Sequence, residues 1–166
     1  VRLQKYNISE NFIRPYFSVE SVRKGSFTLA RRLYGITFKE LPNAPKYHPD
    51  VKVYEVFDEK ENHLAIFMTD YYTRPEKMQG AWMDEMKLPY VDSSNKDIRP
   101  IIYNVANFAK PTSDSPSLLT LDDVETMFHE FGHALHGMLS KTKYISQSCT
   151  YVDRDFLELP SQLNEH

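Results

Sequence analysis

Cysteine is nearly absent from this 166-residue chain. With Cys149 alone, no intrachain disulfide can form and no zinc ribbon built on cysteines is possible. That usage suits a reducing compartment, and a cytoplasmic setting is expected. Long apolar runs are missing as well. None approaches the roughly 20 residues of a membrane span, and the opening VRLQKYNISE lacks the apolar core of a signal peptide, so no membrane association is expected. Charge of one sign is equally scarce, with a net charge of −3 and a pI near 6.1. No Lys/Arg stripe alternates with aromatics, which excludes nucleic acid as an expected partner. Internal repeats and low-complexity segments do not occur.

The chain does carry 41% hydrophobic and 13% aromatic residues, enough to bury one core in one domain. It opens on Val1 and stops at His166 inside helix-like sequence, so it is expected to be an excised piece of something longer. The expected organisation is a helical lead-in over 1–45, a sheet over 46–110 and a pair of site-bearing helices over 118–166. In the lead-in, Ser18 can cap a helix whose stripe is Val19, Val22, Phe27, Leu29 and Leu33, with Gly35 at its C-terminal cap. VKVYEVF and HLAIFMTDYY read as a hairpin around the polar DEKEN, and QGAWM as a short third strand. KLPYVDSSNKDIRP reads as a long polar loop and IIYNVANF as a fourth strand, ended by the turn-rich KPTSDSPS.

The next helix is announced by Thr120 with Asp123 three residues on, a capping-box pair, and Val124, Met127, Phe128, Phe131, Leu135 and Met138 give it a packing face. Within it, FHEFGHALHG places three histidines and a glutamate in otherwise core-like sequence. His129 and His133 lie four residues apart, roughly 40° around the helix and one turn along it, so both imidazoles can meet one ion. Glu130 is then placed to hold a water there. This is the H-E-x-x-H arrangement of zinc sites with a glutamate general base. The competing reading is a core helix with two chance histidines.

A catalytic zinc ion usually takes three protein ligands and leaves the fourth position to water. A metzincin spacing is excluded, because His136 and Leu139 stand where it needs glycine and histidine. His136 lies nearly two turns beyond His129, which suits support of the ligands or packing rather than coordination. DFLELPSQLNEH offers Glu158 as the third ligand, with Gln162 and Glu165 on the same face as its supports. Glu158 could instead be a solvated charge, but between Leu157 and Leu159 an unpaired carboxylate would be costly. Gly132 costs about 1 kcal/mol relative to alanine in a helix, and it points to close approach of the backbone to the sheet or to substrate.

FHEFGHALHG, followed 29 residues after His129 by the glutamate of DFLELPSQLNEH, resembles the thimet oligopeptidase family of zinc peptidases. GAWM and RPIIYNVANF fit the same family, and the NEH ending looks most like its bacterial peptidyl-dipeptidases, or dipeptidyl carboxypeptidases. The resemblance runs from about Tyr6 to the last residue. It implies one Zn2+ per chain held by His129, His133 and Glu158, with Glu130 as catalytic base. It also implies short peptide substrates laid against an edge strand at Gly80 and Ala81. One departure is Ser148-Cys149-Thr150, where relatives commonly have Ser-Gly-Thr. The family is longer and walls a deep channel, so this piece is expected to expose apolar surface and to self-associate.

The expected fold is α+β and zincin-like: an N-terminal helical segment, a small mixed or antiparallel sheet of three to five strands, a zinc helix on it and a second ligand helix behind. Two alternatives stay beside the peptidyl-dipeptidase reading. One is an oligopeptidase-type endopeptidase of the same family, and the other a zinc-binding fragment without turnover.

Overall fold

The computed structural model describes residues 10–166, and any helix expected over residues 1–9 lies outside that range. A short helix, α1 (Glu10–Ile13), leads through a 3-10 turn into α2 (Val19–Tyr34). Ser18 caps α2 by accepting from the Ser21 amide at 3.2 Å, and Gly35 closes it at φ 68°, a left-handed conformation that suits glycine. Both helix ends fall where the sequence sets them. The packing stripe is less regular than expected, since Val19, Val22 and Ala30 are buried whereas Leu33 is 59% exposed.

The described residues form seven strands, β1 (Thr37–Glu40), β2 (Lys52–Phe57), β3 (His63–Tyr72), β4 (Trp82–Lys87), β5 (Tyr90–Val91), β6 (Asp97–Ile98) and β7 (Ile101–Phe108). Five of them form one sheet in the order β1-β2-β3-β7-β4, and β5 and β6 form a separate ladder. β3 and β7 run parallel while the other pairs are antiparallel, so the fold is α+β with a small mixed sheet. The expected β2–β3 hairpin is present, its turn tied by Asp58 Oδ1, which accepts from the Lys60 and Asn62 amides at 2.9 and 2.8 Å.

Three expectations need correction. β1 lies inside the stretch read as helical; with only Phe38 half-buried among its four residues, it carries almost no pattern to read. The strand expected at QGAWM begins at Trp82 and runs to Lys87, because Gly80 adopts φ 101° and cannot join a pleated strand. The long polar loop is not structureless: Asp92 Oδ1 accepts from the Ser94 and Lys96 amides, both at 2.9 Å, and this turn folds β5 onto β6.

One face of the sheet is covered by α2 and by α3 (Leu121–Leu139), whose Phe131 and Leu135 meet Ala30, Tyr54, Val56, Phe67 and Ile102. Phe131 lies within 6.0 Å, centroid to centroid, of the rings of Phe27, Phe38 and Phe67. Its truncation to alanine would cost about 3–5 kcal/mol. The other face packs Val51, Val53 and Met68 under Ala44 and Tyr103. Arg99 fastens the end of α3, its Nη2 donating to the carbonyls of Met138 at 2.9 Å and Ser140 at 3.0 Å while Nε donates to Leu64 of β3 at 2.8 Å. A final helix, α4 (Arg154–Glu165), lies along α3.

Candidate functional site

α3 starts with the capping box the sequence announces: Thr120 Oγ1 accepts from the Asp123 amide at 3.1 Å, and Asp123 Oδ2 accepts from the Thr120 amide at 2.9 Å. From this fixed start the helix buries Met127, Phe131, Leu135 and Met138 and turns His129 and His133 toward α4. Their rings stand edge to face with centroids 4.9 Å apart.

α4 brings Glu158 to both. Its Oε2 lies 3.4 Å from Nε2 of His129 and 3.3 Å from Nε2 of His133, and one ligand atom from each residue falls within 4.8 Å of the others. Ligand atoms at the corners of a tetrahedron with bonds of about 2.0–2.1 Å lie about 3.3 Å apart, so the donor set fits a zinc ion. Nδ1 of His129 donates to Oε2 of Glu165 at 2.7 Å, so the other ring nitrogen, Nε2, is the one turned toward Glu158. A carboxylate on the far nitrogen is the usual support of a metal-binding imidazole. Burial holds the imidazolium form of His133 down, with Glu158 opposing, so this ring stays neutral to lower pH than an exposed histidine.

The two helices meet closely because of Gly132. A Cβ there would stand 2.5 Å from the Pro160 carbonyl oxygen and 2.6 Å from the Ser161 Cα. The close approach is therefore to α4, neither to the sheet nor to the cleft, which corrects the expectation for this glycine. Ser161, fully buried, donates from Oγ toward Glu158, 2.9 Å from its carbonyl and 3.0 Å from Oε2. The sequence reading gives Ser161 no part. Its position three residues after Glu158, on the same helical face, is the signal that could have found it.

A cleft of about 540 Å3 opens beside this set, lined by Ala81, His129, Glu130, Gln162 and Glu165 among others. Burial pushes the carboxyl of Glu130 up to about 7; His129 pulls it down, Glu158 pushes it up, and a hydrogen bond from the Met83 backbone of β4 pulls it down. Gly80 lies just outside β4, and Ala81 reaches the cleft wall beside Glu130. Gln162 is exposed at the wall of the cleft. His136 faces away from the donor set onto Phe156, ring centroids 5.9 Å apart. The Ser-Cys-Thr turn puts Cys149 at φ 51°, the left-handed conformation that glycine would take without strain. Burial raises its thiol to about 12, so it is no nucleophile.

Two imidazoles and a carboxylate converging from two helices, beside a half-buried carboxylate in an open cleft, form the kind of donor set that metal-dependent hydrolases use. Residues 1–166 match peptidase family M3 along their whole length, and the chain belongs to that family. It is 46% identical to the dipeptidyl carboxypeptidase of Salmonella typhimurium and 45% identical to that of Escherichia coli, each over 100% of this chain and 24% of the relative. Oligopeptidase A of Escherichia coli is 39% identical over 97% of the chain and 24% of its own length. The chain thus spans about a quarter of the length of the curated relatives it matches. No helix among the described residues is long and apolar enough to cross a membrane.

Proposed function

We propose that residues 1–166 form the metal-binding part of one catalytic domain in a zinc peptidase that hydrolyses short peptides and releases C-terminal dipeptides. One observation carries the reading: Glu158 Oε2 stands 3.4 and 3.3 Å from the two histidine nitrogens, the spacing of tetrahedral zinc ligands. Membership of family M3 and likeness to dipeptidyl carboxypeptidases support it. His129, His133 and Glu158 hold the ion, Glu165 orients His129, and Gln162 and His136 support the helix pair from the cleft wall and from behind.

When bound, the zinc ion supplies Lewis acidity, which brings the pKa of a water toward neutrality and polarises the scissile carbonyl. The carboxylate of Glu130 accepts a proton from the attacking water and later delivers it to the leaving amine nitrogen. Burial suits it to this exchange, since it makes Glu130 a stronger base than a solvated carboxylate. Gly80 and Ala81 would hold the backbone of an extended peptide beside Glu130, a reading that Ala81 supports by lining the same cleft as Glu130.

Likeness to oligopeptidase A favours a second reading, an endopeptidase that does not depend on the substrate's C-terminus. Incubating the zinc-loaded protein with an N-acetylated oligopeptide and identifying the products by mass spectrometry separates the two. Successive loss of C-terminal dipeptides supports the first reading, and internal cuts support the second. Bound zinc without any cleavage would leave a zinc-binding fragment lacking turnover.

A further inference from the structure

The loop between β3 and β4 is held from two sides by side chains outside the donor set. Lys77 is buried, and its Nζ donates to the carbonyls of Asp70 at 2.7 Å, Tyr72 at 2.9 Å and Ala106 at 2.5 Å, with Asp70 Oδ1 at 3.0 Å. Asp70 is itself fixed, accepting two hydrogen bonds of 2.8 Å from Arg74 and one of 3.0 Å from the Tyr47 hydroxyl. A buried ammonium persists only when its protons and its charge are satisfied, as these are.

The second hold comes from β7. Nδ2 of Asn107 donates to the carbonyls of Met78 and Gly80, both at 2.8 Å. Main-chain pairing of β4 with β7 ends at Trp82 opposite Val105, and continuing that register puts Gly80 opposite Asn107. The side-chain amide thus takes over where the ladder stops. Gly80 turns there at φ 101°, a conformation open to glycine but not to a pleated strand. Between the two anchors and β4 lies Ala81, at the cleft wall with His129 and Glu130.

We propose that Asn107 and Lys77 form a clamp that sets the Gly80–Ala81 backbone at a fixed distance from Glu130, so that a peptide main chain lying there meets the donor set in register. The inference rests on the peptidase reading above. Both are positioning residues, since neither touches the donor set.

The test compares two probes on the zinc-loaded protein: acetohydroxamate, which addresses the metal alone, and a peptidyl hydroxamate, which adds main-chain contacts. Asn107→Asp is nearly isosteric but replaces both donors with an acceptor facing two carbonyls. It should weaken the peptidyl hydroxamate by about 10- to 100-fold, the cost of a misplaced binding segment, while acetohydroxamate affinity stays unchanged. KM for peptides should rise in parallel. If both probes bind the variant as they bind the wild type, or if both weaken equally, the clamp is refuted. Wild-type protein that binds neither probe would instead overturn the peptidase reading, and the clamp with it. Should Asn107→Asp fail to fold, Asn107→Ser removes the amide without adding charge and is read by the same ratio.

Discussion

Gly132 and Pro160 approach each other so closely that a Cβ on the glycine would stand 2.5 Å from the proline's carbonyl oxygen. Backbone stands on backbone here, so neither side has a flexible chain end to move aside. Gly132→Ala should therefore push α4 away from α3 and carry Glu158 off the two histidines. Helix propensity alone favours alanine by about 1 kcal/mol, which makes the outcome diagnostic. We expect zinc affinity to fall by at least about tenfold with helix content unchanged, measured by competition with a chromophoric chelator. Full zinc affinity in Gly132→Ala would show that α4 tolerates the shift.

Glu130→Gln should keep the metal and lower turnover by about 10²–10⁴-fold, the usual contribution of a general base. His133→Ala should lose metal and turnover together. Metal content and a peptide assay on the same samples check both. Retained activity in Glu130→Gln would remove Glu130 from the proposed mechanism.

The supports of the ligands give a graded series. Glu165→Gln keeps the shape but weakens the 2.7 Å contact to His129, and Ser161→Ala removes the hydroxyl 3.0 Å from Glu158 Oε2. Each should weaken zinc binding by about 10–100-fold without unfolding the chain. An unchanged dissociation constant in both variants would mean that the donor set is held by packing alone.

These predictions draw unequally on what the sequence discloses. α3 is legible throughout, because the capping box, the apolar stripe and the histidine spacing agree on one helix with one face to the core and one to the site. β1 is not, since its four residues bury little, and the start of β4 hinges on the backbone angle of Gly80, which no side-chain pattern reports. Ser161, Lys77, Asn107 and Arg99 act mainly on backbone carbonyls, several of them distant in sequence and brought near only by folding. Hydrophobic periodicity cannot reveal such partners.

Asp70 should set an acid limb of stability. Burial opposes its ionisation, yet the hydrogen bonds from Arg74, Lys77 and Tyr47 outweigh that and hold the carboxyl below its ordinary value of 3.8. Between the folded and unfolded pKa values the unfolded chain binds more protons. The stabilisation is thus complete above the ordinary value and is lost as pH falls through the lower, folded one. Asp70→Asn should flatten this limb in thermal melts taken across that range. At neutral pH it should cost about 3–5 kcal/mol by leaving buried Lys77 without its counter-charge.

Phe156, Leu159 and Leu163 of α4 are 54%, 59% and 71% exposed, and we expect the isolated chain to self-associate through this face. Light scattering over a concentration series would detect it. Leu163→Glu should shift the chain toward monomer, and an identical profile for wild type and variant would exclude α4 as the contact.

α4 buries one residue fully, Ser161, yet it carries the third donor. Its hold on α3 therefore rests on the backbone contact at Gly132 and on the pairs of Glu158 and Glu165 with the two histidines rather than on a buried apolar stripe. An ion shared between the helices would strengthen that hold, because separating them would first have to break a bond to Glu158. Amide exchange along α4 would then report the arrival of metal more sharply than exchange in the sheet, whose protection comes from its own ladder.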